Sequence, residues 1–203
     1  MIDPEQTSAP VIYRHLIACI TPRPIAWVSS VSPTGVANLA PFSFFNGVGA
    51  NPPAVMISPL NRRDGSRKDT VLNVEATRQF VVNVVPASLA ERMNACSAEF
   101  PYEVSEFERC GLTAVPSARV RPPRVAESPV QLECELFTIV PVGDGPLAAN
   151  VVIGRVVLLH ADDAVLDAAG QIDPDKLDTV GRMGGTLYTR TRDRFEMDRP
   201  DRK

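Results

Sequence analysis

The sequence predicts a mainly β protein with added helices, folded as a single domain. Several short runs rich in β-branched residues are separated by turn-forming residues, the helical periodicities are all short, and 19 prolines interrupt the chain too often for long helices. A length of 203 residues with 44% hydrophobic content supports one well-buried core and is short for two. These observations leave a barrel and a sandwich equally open.

Residues 1–12 read as a loose or partly docked lead-in. Pro22-Arg23-Pro24 is then an extended, rigid stretch, because each proline fixes φ and restrains its predecessor. Residues 25–31 are β-prone, Ser32-Pro33-Thr34-Gly35 has the composition of a reversing turn, and residues 36–40 return as a second strand. Pro41 lacks an N–H and is expected to stop the pairing, freeing backbone from Ala40 to Ser43 beside Phe42, Phe44 and Phe45. Such a surface suits a flat heterocycle with polar edges, although on residues alone an aromatic cluster is more often core.

Residues 54–58 form a short apolar run that reads as a buried strand, followed by an arginine-rich loop over 59–68. Asp69 or Thr70 is expected to cap a helix to about residue 76. Residues 80–85 make another buried strand, and Pro86-Ala87-Ser88 opens a helix to about Cys96. The chain is irregular over 97–124, apart from a short helix over 104–110 that Gly111 ends. In residues 130–140, Leu132, Cys134 and Leu136 oppose Gln131, Glu133 and Glu135, which predicts a strand with one wet or interface-facing side. Gly143-Asp144-Gly145 turns the chain into a long strand over 150–160. A helical turn at 173–177, a glycine-rich loop at 181–188 and a charged tail over 190–203 complete it.

The net charge of −3 gives no general affinity for nucleic acid or anionic membrane. The first six residues lack the basic start and apolar run of a signal peptide, and residues 151–159 are far too short to span a bilayer, so a cytoplasmic location is expected. Cys19, Cys96, Cys110 and Cys134 show no CxxC pairing, and His15 and His160 lie far apart. Reduced, mostly buried thiols are expected, with no metal site. Gly143-Asp144-Gly145 is not a dinucleotide fingerprint, because Pro146 and a strand follow and no βαβ context exists.

Ser66-Arg67-Lys68-Asp69-Thr70 is the most informative chemical element. Gly65 permits close backbone approach, Arg67 and Lys68 supply cations, Thr70 adds a hydroxyl, and the helix start offers free N–H groups. Together they suit a phosphate monoester; a solvated basic loop is the competing reading. Asn83, a polar residue in an apolar strand, needs buried partners and reads as structural.

TPRPIAWVSS (21–30), NLAPFSFFN (38–46), NPPAVMISP (51–59), SRKDT (66–70) and FVVNVV (80–85) occur in the order and spacing of the flavin reductase-like, FMN-binding split-barrel proteins, and the chain resembles that family from about Tyr13 to Tyr188. The resemblance implies a six-stranded Greek-key barrel over 13–189 and a homodimer with FMN at the interface. It also implies NADH or NADPH as reductant and, for some members, a flavin-dependent monooxygenase that receives reduced flavin. It assigns Arg23, Asn38, Ala40, Phe42 and Ser43 to the flavin, with Arg23 at the phosphate or at the N1/O2 edge of the ring. Ser58, Arg67, Lys68 and Thr70 go to its phosphate, and Arg182 and Tyr188 to the nicotinamide. Hydride passes between cofactors, so the chain itself needs no catalytic acid, base, nucleophile or metal. Two other activities fit the same residues: reduction of another small acceptor such as a quinone, nitro compound or metal complex, and a flavin carrier or sensor without turnover.

Overall fold

The computed structural model describes residues 1–200; residues 201–203, the end of the expected charged tail, lie outside the described residues. The strands are β1 (Ala26–Val31), β2 (Ala37–Phe42), β3 (Phe45–Ala50), β4 (Pro53–Ile57), β5 (Gln79–Val84), β6 (Ala114–Val115), β7 (Arg124–Val125), β8 (Val130–Val142), β9 (Ala149–Ala161), β10 (Val180–Arg182) and β11 (Tyr188–Arg190). The helices are α1 (Ala9–Cys19), α2 (Asp69–Thr77), α3 (Ala90–Ala95), α4 (Glu106–Arg109) and α5 (Pro174–Leu177). None is long and apolar enough to cross a membrane.

Seven segments form one antiparallel sheet in the order β2-β1-β5-β8-β9-β4-β3. β2 and β3 lie at opposite edges of that order, yet only Ser43 and Phe44 separate them in sequence. The sheet therefore curls until its two edges meet at this bend, giving a barrel split along one seam. Counted as one bent path, β2 and β3 reduce the seven segments to six strands.

β1 is buried at every position because both of its faces are covered. Ala26 and Val28 point into the barrel with Ile57, Phe80, Val82 and Val152. Ile25 and Trp27 face a second cluster with Leu39, Met93 and Phe107, beneath α3 and α4. Gly154 on β9 makes room for the barrel core: a Cβ there would stand 2.3 Å from Phe80 Cζ. Asn83 has the structural role expected of it, donating to the Trp27 carbonyl at 2.9 Å and accepting the Val125 N–H at 2.9 Å.

Several expectations are corrected. Pro41 does not stop the pairing, since Pro41 stands opposite Trp27 and Phe42 opposite Ala26. β2 is an edge strand, and the Leu39 N–H points outward to Glu106. By alternation the nitrogen of Pro41 also points outward, so no ladder bond is lost. The same alternation spends the N–H groups of Ala40 and Phe42 on β1, so they are not freed as expected. Residues 9–12 of the expected lead-in open α1, which runs on to Cys19, and 45–50 form β3. The 181–188 stretch is a hairpin, with Arg182 opposite Tyr188. Gln131 and Glu133 do not make a wet face: they are 5% and 0% exposed, because residues 118–119 cover Glu133 and residues 124–128 cover Gln131.

Candidate functional site

The bend at Ser43-Phe44 is fixed from behind by Arg23, which is 4% exposed. Its Nε donates to Ser43 Oγ at 3.2 Å, its Nη1 to the carbonyls of Ile17 (2.6 Å) and Ile20 (2.5 Å), and its Nη2 to the Met183 carbonyl at 2.9 Å. The first two carbonyls belong to the C-terminal end of α1, where a cation is favourable. Phe44 lies 5.9 Å from the guanidinium and meets Tyr13 edge-on. Arg23 thus joins α1, the bend and the 183 loop, and its four side-chain bonds all go to these neighbours. Because Nε already donates to Ser43 Oγ, the Ser43 hydroxyl proton is directed elsewhere.

On β2, Asn38 donates from Nδ2 to Thr70 Oγ1 at 3.1 Å and to Ser30 Oγ at 3.4 Å. Glu106 of α4 is 7% exposed and accepts the outward Leu39 N–H at 2.8 Å. Burial raises the Glu106 carboxyl above its ordinary value, against the lowering effect of that N–H. A carboxyl raised in the folded state contributes stability at low pH that is lost as pH rises through the folded value. Glu106→Gln keeps an acceptor for Leu39 without the buried charge. Thermal melts are expected to show it more stable than the parent at pH 8, with the difference closing toward pH 4; lower stability at pH 8 would refute this.

The loop before α2 places its cations unequally. Lys68 occupies the cap position with no side-chain cap, and Asp69 is the first helical residue rather than the cap. The Asp69 and Thr70 N–H groups consequently lack an intrahelical partner, whereas that of Val71 bonds the Lys68 carbonyl at 2.9 Å. Arg62 holds Asp69 at 2.8 Å and also bonds the Arg67 carbonyl. Arg67 turns away onto Glu75, with Nη1 3.1 Å from Oε1 and a second bond to Oε2. Lys68 has only a loose contact with Glu99 at 3.5 Å.

Three cavities meet around Pro41. One of about 100 Å3 lies among Asn38, Ala40, Phe42, Lys68, Thr70 and Glu106. The next, about 330 Å3, is walled by Phe42, Ser43, Ser58, Arg62, Arg63 and Lys68. The third, about 260 Å3, lies beyond Ser43 toward Tyr13, Arg182 and Tyr188. The structure thus brings together every sequence-predicted site residue except Arg67, which lines none of these cavities, and Arg23, which reaches them through Ser43. Arg62, Arg63, Tyr13 and Glu106 were missed. The two arginines were visible as part of a basic loop; Tyr13 and Glu106 gave no local signal.

Residues 18–190 match the family model described as the flavin reductase like domain. The chain belongs to the flavin reductase-like family. A protein of Aquifex aeolicus is 42% identical over 92% of this chain and 93% of its own length. Nitrilotriacetate monooxygenase component B from Bacillus cereus is 36% identical, with a TM-score of 0.91 over 97% of this chain and 98% of that one. 2-Nitrobenzoate 2-nitroreductase of Pseudomonas fluorescens is 32% identical, with a TM-score of 0.88 over 98% and 96% of the two chains. An oxidoreductase of flavin reductase-like fold is the family-level assignment.

Proposed function

We propose that this chain is an FMN-binding NAD(P)H:flavin reductase. One observation carries the reading: Phe42 of the aromatic bend and Lys68 of the basic helix start line the same two adjoining cavities. A single small molecule can therefore touch an apolar, hydroxyl-bearing wall at one end and a cationic one at the other. That donor set fits a flavin mononucleotide, whose ring is flat and whose phosphate carries close to two negative charges.

Pro41, Phe42 and Ser43 would flank the ring, and the Ser43 hydroxyl would donate to its polar edge. Asn38 would orient the ring, with Thr70 holding the amide in place. Lys68, Arg62, Arg63, Ser58 and the free N–H groups of α2 would hold the phosphate. When bound, the flavin supplies the redox chemistry, accepting hydride from the nicotinamide at N5. The chain contributes orientation, exclusion of water and fixed positive charge, with Arg182 and Tyr188 flanking the nicotinamide side. A homodimer with flavin at the interface belongs to this reading. Its support is the exposed apolar surface on β3 and the outer part of β8, where Val48, Phe137, Val140 and Val142 are 54%, 68%, 46% and 56% exposed. A flavin-dependent monooxygenase that takes up reduced flavin is the proposed partner, by analogy with the Bacillus cereus component B. The reading places the protein in the cytoplasm, where its four free thiols stay reduced.

The test is NADH and NADPH oxidation by the FMN-loaded protein, with and without added free flavin. Stimulation of at least about tenfold by free FMN is expected. Oxidation only on adding a nitroarene or quinone would favour the second reading, to which the similarity to a nitroreductase lends support. No oxidation with any acceptor, despite bound flavin, would leave a carrier or sensor.

A further inference from the structure

The cavity beyond Ser43 has a charge character that hydride transfer does not require. Its walls come from Tyr13, Pro41, Ser43, Asn94, Arg182 and Tyr188, together with Ile25, Met93 and Ser97, and include no acidic residue. The Arg182 guanidinium lies over the Tyr188 ring, 4.4 Å from its centroid, and one nitrogen donates to the Gly185 carbonyl at 2.7 Å. Tyr188 is itself fixed by a bond from its hydroxyl to Asn94 Oδ1 at 3.1 Å. Arg182 is therefore a held planar cation with donors to spare, and among the described residues it has no ion pair.

Behind the cavity stands a second guanidinium. Arg23 and Arg182 pair through their backbones, at 3.0 and 2.8 Å, and all four bonds from the Arg23 side chain go to neutral oxygens. Burial lowers the pKa of Arg23, with Tyr13 opposing and Arg182 adding to the effect. Arg182 thus lines an acid-free, aromatic-walled space, and the buried Arg23 guanidinium stands behind it, one side chain removed, on Ser43. An anion seated there would be attracted by both.

We propose that this cavity binds small planar aromatic anions, with the ring packed beside Tyr13, Pro41 and Tyr188 and the carboxylate on Arg182. The proposal rests on the reading that Pro41 to Ser43 faces a flavin, which would put the bound ring next to the cofactor. At about 260 Å3 the space falls below the roughly 300–1,000 Å3 of clefts that enclose drug-sized ligands, and so fits one ring with one anionic group.

Three probes of similar shape test it on the FMN-loaded protein by calorimetry: benzoate (anion), benzamide (neutral) and 1-methylnicotinamide (cation). Benzoate is expected to bind at least about tenfold more tightly than benzamide, with the cation weakest. Arg182→Gln should abolish the preference for benzoate over benzamide, while Arg182→Lys restores part of it. Equal binding of benzoate and benzamide, or benzoate binding indifferent to Arg182→Gln, overturns the proposal. ADP-ribose supplies the anionic part of a dinucleotide without nicotinamide. If its affinity falls with Arg182→Gln as much as that of benzoate, the residue reads dinucleotide phosphate and the proposal also fails. FMN fluorescence is followed separately in every sample. Absence of quenching removes the flavin reading and this one with it, whereas quenching without charge-selective binding removes this one alone.

Discussion

Replacing Lys68 and Arg63 together by alanine is expected to weaken FMN binding by about a hundredfold and riboflavin binding by no more than about twofold. Both side chains line the cavity of about 330 Å3, and neither has a strong structural duty: Lys68 touches Glu99 only at 3.5 Å, and Arg63 makes no ion pair among the described residues. A phosphate monoester would therefore be their principal partner. Each charge-assisted bond to it contributes about 1.5–3 kcal/mol in a sheltered site, less where water competes, and two discounted contributions give the hundredfold figure. Riboflavin lacks the phosphate and should not respond. Arg67→Ala is the informative control, since that guanidinium is committed to Glu75 and should leave FMN affinity within about twofold. Fluorescence-quenching titrations with both flavins measure all of this. A parallel loss of riboflavin would sink the phosphate assignment. A loss from Arg67→Ala as large as that from Lys68 would mean that Arg67 leaves Glu75 to meet the ligand.

The contrast between Arg63 and Arg67 shows how far the sequence could be read. That a cationic loop precedes a helix start was legible from local composition. Which arginine faces the cavity was not, because Glu75 and Asp69 decide it from positions on the helix that follows. The barrel strands that carry dense β-branched residues, such as β5 and β9, were visible for the same local reason. β3 (FNGVGA) has two glycines and little burial, and it exists only because β4 pairs with it. α1 was missed although Ile12, Tyr13, Leu16 and Ile17 recur at helical spacing; none of its residues is buried within one chain. Arg23 was the hardest to read. Its partners include a carbonyl 160 residues away, and long-range closure of this kind leaves no trace in a local motif.

Glu133 extends the same lesson to stability and yields the second large effect. It was expected on a wet strand face, but its side chain is 0% exposed, at a register irregularity where β8 meets β9. Its Oε1 accepts the Ala118 N–H at 2.8 Å and lies 2.6 Å from His160 Nε2; its Oε2 accepts the Arg119 N–H at 2.6 Å. A carboxylate only accepts, so Nε2 carries the proton in this pair. Burial alone would raise the carboxyl, but the two N–H groups and His160 outweigh it and hold it below the ordinary range. A depressed carboxyl contributes stability that is complete above the unfolded value and lost as pH falls through the folded one. Glu133→Gln removes the charge and turns an NH2 group toward donors, leaving at least one buried N–H without an acceptor. The expected cost is about 3 kcal/mol at pH 7 by urea unfolding. The gap from the parent should narrow as pH falls below the ordinary glutamate value and through the depressed folded one, where the parent also loses its charge. A cost under about 1 kcal/mol at pH 7 would show that residues 118–119 can leave β8 and find water instead. A gap that is constant with pH would show that packing around the side chain, and not its charge, holds that loop on the barrel.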